Sequence, residues 1–389
     1  MKGKLRKNSF LEGAMFAYIA ILAAKVMGAL YSIPFYDIIG DRGGVIYSCA
    51  YNIYSLFLEI STSGIPIAVS IVISEYNAKG MIHSKEKTYS LTLKFISAVS
   101  LTCFLVMQIF AKSIGAYFLK DMTQGVTPDE IALGVRAISF CLLIVPFLSL
   151  KRGYLQGHKI MAEPSASQVI EQLVRIAVVL AGSYTARKLM GKNTVYGVCT
   201  ALLGATAGAA CAYLYLRIKT KNSREIFFLD ADENEAVASN REIAEKVFSY
   251  CITIVIISIS NSVYSIVDMK MILTGLHNIG YTDMDTQEIA SIASTWIPKI
   301  CRIITALSMG ITNSICPHLA QKRTDGKMDD VNATLNQALS AFLLISMPLA
   351  AGLILLSSPV YTLFYGESVY GAEILKLATV VNIVGSMAT

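Results

Sequence analysis

A chain of 389 residues that is 54% hydrophobic and only 15% charged, with a mean hydropathy of +0.56, is unlike a soluble domain, in which about a quarter of residues are charged. Its net charge of +6 is small and no basic stripe is interleaved with aromatics, so nucleic acid is excluded as the expected partner. The charges gather between apolar runs of about 20 residues, the length of a membrane-crossing helix. In lipid such runs must close their hydrogen bonds internally, so the expected class is an all-α polytopic membrane protein.

In chain order, ten spans are predicted, near 10–35, 45–73, 88–111, 131–150, 166–186, 194–216, 247–274, 289–317, 332–356 and 372–389. The basic start (Lys2, Lys4, Arg6, Lys7) precedes an apolar stretch too long for a cleavable signal, so it reads as the first membrane helix. Polar connections are expected at 75–87, 151–164, 217–246 and 319–331. The longest is acidic in its middle (Asp230, Asp232, Glu233, Glu235). It divides the chain into a six-helix lobe at 1–216, a cytoplasmic linker at 217–246 and a partial, four-helix lobe at 247–389. Connections on one side carry nineteen Lys and Arg, those on the other six, which places the N-terminus in the cytoplasm of a multi-pass cell-membrane protein.

The two parts share local patterns. Tyr31-Ser32-Ile33 matches Tyr264-Ser265-Ile266, and Gly64 with Gly80 matches Gly310 with Gly326 at the same spacing of sixteen. Six helices between copies keep both in one orientation, a parallel repeat with a binding site expected at the interface of the halves. Four helices do not complete a six-helix copy, so the second lobe is expected to be truncated and the chain a fragment of a longer one.

Charges inside a membrane span cost at least about 2.5–3.5 kcal/mol at a helix centre, and so point to function. Lys94, Arg136, Lys270 and Lys376 lie near span ends, where the charge can reach the interface. Lys25 lies deeper. Gln168, Glu171, Gln172 and Arg175 follow i, i+3, i+4, i+7, one polar stripe on one helix face. Thr295, Lys299 and Arg302 repeat the idea, and the acids set against them are Glu59 and Asp268. These residues are expected either to pair as internal salt bridges or to line a polar cavity. If they line a cavity, Lys25, Lys299 and Arg302 make it cationic and suited to a phosphate or pyrophosphate group. Pro66, Pro146 and Pro348 are expected to kink their helices. No GxSxG, HExxH or P-loop occurs, and the eight cysteines form no CxxC pair, so neither an enzyme nor a cofactor or metal is expected.

Two segments carry a family resemblance. Residues 23–80, AAKVMGALYSIPFYDIIGDRGGVIYSCAYNIYSLFLEISTSGIPIAVSIVISEYNAKG, and residues 152–176, RGYLQGHKIMAEPSASQVIEQLVRI, resemble the polysaccharide-biosynthesis and stage V sporulation protein B-like exporters. That group is related to MurJ-type lipid II flippases and, in the same superfamily, to MATE exporters. The resemblance implies two pseudo-symmetric lobes and alternating-access flipping of an undecaprenyl-pyrophosphate-linked glycan, such as a peptidoglycan precursor or polysaccharide unit. It implies a cavity role for Lys25 and Arg302. Tyr31, Leu58 and Glu59 stand where one branch of the family carries basic residues, which implies a less basic site. The expected partners are a lipid-linked oligosaccharide and membrane lipids. Coupling is expected to Na+, H+ or the membrane potential, with Asp268 as the ion-coupling candidate. The alternative is a MATE-like multidrug or cation antiporter, which Glu59 and Asp268 would favour. A membrane-embedded glycan ligase is disfavoured by the short outer loops.

Overall fold

The computed structural model describes residues 23–24, 26–119, 122–221, 237–301 and 328–388, and over them the chain is entirely helical and turn. Before the linker lie α1 (Ser32–Thr62), α2 (Ile65–Ala78), α3 (Ile82–Leu119), α4 (Pro128–Ser139), α5 (Val145–Gly157), α6 (Ala162–Tyr184) and α7 (Thr194–Lys221). After it lie α8 (Asn240–Asn278), α9 (Asp283–Ser291), α10 (Met328–Leu355), α11 (Ser357–Tyr365) and α12 (Gly371–Ala388). Among the described residues, seven stretches are long and apolar enough to cross a membrane: Ser32–Ala78, Ile82–Leu119, Pro128–Gly157, Ala162–Leu189, Thr194–Lys221, Asn240–Asn278 and Asn332–Leu355. Most of the span near 10–35, and residues 302–317 of the span near 289–317, lie outside the described residues. Large apolar side chains face outward, among them Ile109 on α3, Leu344 on α10 and Leu363 on α11. Lipid, unlike water, accepts such a surface.

Glycine and proline set the bends. Within α1 the helix breaks at Gly40, whose φ of 61° and ψ of −166° exclude side-chain-bearing residues. Gly64, at φ 73°, precedes Pro66 in the first turn of α2, and a Cβ there would lie within 3.0 Å of the Cys251 backbone on α8. Pro146 opens α5 after a single 3-10 turn at Phe140–Leu143, and Pro348 lies inside α10.

Several predicted connections are corrected. The polar stretch 75–87 is helical except around residues 79–81, because α2 runs to Ala78 and α3 starts at Ile82. The stretch 151–164 is likewise helical to Gly157. Polar residues there remain in helix because the ends of a span project beyond the hydrocarbon, where charge is tolerated. The linker contracts too, with α7 reaching Lys221 and α8 starting at Asn240.

At one end of the bundle the N-terminal and C-terminal helices are latched. The Asp283 Oδ2 accepts the backbone N–H groups of Thr123 and Gln124, each at 2.9 Å, and the Thr123 hydroxyl at 3.3 Å. The Gln287 Oε1 accepts the Val126 N–H at 2.8 Å, and its Nε2 donates to the Gln124 carbonyl at 2.9 Å. The Thr123 N–H, then that of Gln124, the Thr123 hydroxyl and the facing His277, hold the Asp283 carboxyl below the usual carboxylate range against its partial desolvation. A carboxyl depressed in the closed form stabilises that form above its ordinary pKa and stops doing so as pH falls through the depressed value. The latch should therefore hold unchanged through neutral pH and weaken only in acid, below roughly pH 4. A distance measured by spin labels across this end should show that acid transition in the native chain and lose it in Asp283→Asn.

Candidate functional site

A cavity of about 320 Å³ lies between the N-terminal and C-terminal helices, near the lower end of the roughly 300–1,000 Å³ typical of small-ligand pockets. Four segments build it. The segment before α1 supplies Ala24 and Gly28, with Tyr31 at its junction with α1, and α1 itself supplies Tyr47, Ser48, Tyr51 and Asn52. The α6 helix supplies Gln168, Glu171, Gln172 and Arg175, the stripe read from its spacing. The segment that follows α9 supplies Ser294, Thr295, Pro298 and Lys299.

Each wall has a local cause. The α6 stripe is held at the cavity by close packing of its own backbone on α7, beside Glu171 and Arg175. Gly208 leaves no room for a Cβ, which would lie 2.5 Å from the Glu171 carbonyl, and one at Gly204 would lie 3.2 Å from the Arg175 carbonyl. The Lys299 wall is set by a π turn at Ile292–Trp296. Pro298 has no N–H to give the preceding turn and its ring crowds the carbonyl there, a conflict that one wide turn relieves. The turn is pinned by Thr295, whose hydroxyl donates to the Gly44 carbonyl at 2.8 Å, and by Trp296, whose Nε1 donates to Ser291 at 2.8 Å.

Lys299 is 5% exposed, and its ammonium sits among four rings: Trp296 at 4.4 Å, Phe35 at 5.0 Å, Tyr31 at 5.2 Å and Tyr47 at 5.5 Å from their centroids. Ring faces attract a cation strongly when water is excluded, so the four rings form a cage suited to an ammonium on the cavity wall. Tyr47 and Tyr51 stack nearly parallel, 5.7 Å apart at 11°. Glu171 is bracketed by two arginines: Arg152 of α5 reaches its Oε2 at 2.9 Å and Arg175 its Oε1 at 3.4 Å. At Glu171 an ion-pair network and a cavity lined by polar side chains therefore meet at one place.

Of the predicted site residues, Gln168, Glu171, Arg175 and Lys299 are brought together. Glu59 is half-buried near the end of α1 and Asp268 is exposed on α8, and neither lines the cavity. Lys25 and Arg302 lie outside the described residues. Arg152 falls in the stretch 151–164 expected as a polar connection, yet its run, RGYLQGH, stays helical to Gly157 and carries the guanidinium to Glu171.

A family model described as "Polysaccharide biosynthesis protein" matches residues 10–282. Among curated proteins, the chain is 29% identical over 395 aligned positions to "Lipid II flippase MurJ" of Bacillus subtilis (strain 168), covering 98% of this chain and 71% of that one. It is 27% identical over 223 positions to "Stage V sporulation protein B" of the same organism, covering 57% of this chain and 41% of that one. Among solved structures, it superimposes on "Lipid II flippase MurJ, inward closed conformation" with a TM-score of 0.68 at 13% identity, covering 96% of this chain and 74% of that one. An outward-facing multidrug resistance MATE transporter of the MOP superfamily gives 0.67 at 14% identity, covering 98% and 81%. Likeness at such identities speaks for the fold alone, which the chain shares with these transporters.

Proposed function

The chain belongs to the polysaccharide biosynthesis protein family, and from that premise we propose that it translocates an undecaprenyl-pyrophosphate-linked glycan across the cytoplasmic membrane by alternating access. The observation that carries the reading is the cavity wall on which Arg175 and Lys299 stand beside stacked tyrosines and side-chain amides. Arginine offers a fork and lysine a point charge to a pyrophosphate. Gln168, Gln172 and Asn52 offer donors and acceptors to sugar hydroxyls, and a tyrosine face suits the apolar face of a pyranose. Lys25 and Arg302 are proposed to add to the cationic wall, and Glu59 to lie along the path of the sugar. The lipid tail stays in the bilayer while the head group crosses. The latch end is then the extracytoplasmic end and the N-terminus is cytoplasmic, as the loop charges suggest. An ion gradient or the membrane potential supplies the energy, with Asp268 proposed for ion coupling.

The fold likeness to multidrug transporters supports a second reading, a drug or cation antiporter. The two are separated by producing the chain in a strain depleted of its lipid II flippase and by following fluorescent lipid II in proteoliposomes. Rescue together with flipping is the expected result. Drug resistance without either would transfer the reading to the antiporter.

A further inference from the structure

Among the described residues Glu171 is the one acid on the cavity wall, and it stands one helical turn from Arg175. Left to themselves, the two would neutralise each other. The geometry shows an unequal division instead. The Arg152 Nη2 donates to Glu171 at 2.9 Å, whereas Arg175 reaches it only at 3.4 Å. Arg152 is fixed from behind as well. Its Nε donates to the Ser167 hydroxyl at 2.9 Å, and that hydroxyl donates to the Pro164 carbonyl at 2.6 Å. Arg152 does not line the cavity; it reaches Glu171 from α5. The Nε of Arg175 is buried and makes no hydrogen bond among the described residues, so the side chain is not held by a second partner there.

We propose that Arg152 is a positioning residue that takes up the charge of Glu171 and so keeps Arg175 available to an anionic ligand. The inference rests on the reading of the cavity as a pyrophosphate-lipid site and adds to it the residue that sets its charge. With Arg152 present, Arg175 and Lys299 face the ligand as two net positive charges. Without it, Glu171 turns fully to Arg175 and one charge is cancelled, so a phosphate would have to displace a carboxylate to bind. The same arrangement gives the run from Arg152 to Glu171 a physical reason: Arg152, Pro164, Ser167 and Glu171 are one hydrogen-bonded chain.

The test uses the full chain in lipid nanodiscs with undecaprenyl pyrophosphate as probe, and with the uncharged lipid alcohol as the control for binding through the tail. Arg152→Gln should weaken binding about tenfold, a coupling usual within one charged network. Arg152→Gln combined with Glu171→Gln should return binding to within about twofold of the native chain, because the competing carboxylate is gone. Arg152→Lys keeps the charge without the fork and should bind nearly as the native chain does; a merely structural role for the guanidinium would make this variant as weak as Arg152→Gln. Arg175→Gln should lose affinity whether or not Arg152 is present. Native binding together with an unaffected Arg152→Gln, or a double variant no better than the single one, would overturn the inference alone. A native chain that does not prefer the pyrophosphate to the alcohol would overturn the reading of the site and the inference with it.

Discussion

Lys299→Met is expected to lower lipid-linked glycan flipping about a hundredfold while leaving the protein at least as stable as before. The size follows from losing one charge-assisted contact to phosphate, about 1.5–3 kcal/mol, where each 1.4 kcal/mol is a factor of ten. Stability should not suffer, because a thioether of similar length fills the same ring cage and no longer has to be kept charged away from water. Replacing buried charge by well-packed apolar groups is often neutral or favourable. The cage rings hold the ammonium within 4.4–5.5 Å of four centroids, so the native lysine is held in place and has little freedom to leave the wall. Flipping in proteoliposomes and thermal unfolding in detergent, measured on the same preparation, check both halves. A variant that flips at the native rate would remove Lys299 from the head-group site, whatever its stability.

The second large effect is expected at Gly44. A Cβ at this position would lie 2.1 Å from the Ser291 hydroxyl and 2.8 Å from the Trp296 indole nitrogen, and the Gly44 carbonyl also accepts from Thr295. Gly44→Val must therefore push α1 away from the π turn that carries the lysine wall. Overpacking of this kind costs about 1–3 kcal/mol. Because the contact joins N-terminal to C-terminal helices, that cost falls on the latched arrangement and shifts the balance toward the unlatched one by about ten- to a hundredfold. Spin labels at Asp129 and Met284, both solvent-facing and on opposite sides of the latch, should report a longer distance in Gly44→Val. Gly44→Ala with Ser291→Ala, which removes the nearest clashing atom, should restore most of the native distribution. An unchanged distance in Gly44→Val would show that this contact plays no part in closing the end.

What could be read beforehand depended on range. The α6 stripe was legible because four polar residues at 3.6-residue spacing in an apolar run define a face, and a face is a local property. Lys299 was legible as a charge in a span. Its cage was not, since Tyr31, Phe35 and Tyr47 come to it from more than 250 positions away. The two acids show the reverse. Glu59 and Asp268 were visible as costly residues, but spacing alone does not say which helix a face meets, and the fold keeps both off the cavity wall. Arg152 was hidden because a basic pair near a span end looks like an interfacial anchor. The latch was hidden because Thr282 and Asp285 give α9 an ordinary N-terminal cap, which explains the local polarity without reference to anything distant.

Apart from the Thr123 hydroxyl, the hydrogen bonds of the latch join side chains on one partner to main chain on the other. Asp283 and Gln287 read N–H and carbonyl groups that nearly any residue at 124 or 126 would present. An alanine scan would therefore find Asp283 and Gln287 on one face and little beyond Thr123 on the facing loop, although every one of these bonds needs a group from each. Only proline, which deletes the donor, or a side chain at Gly125, where a Cβ would lie 2.2 Å from Gln287, would expose the loop's share. The loop is in this sense a keyhole cut in backbone, free to change its letters without changing its lock.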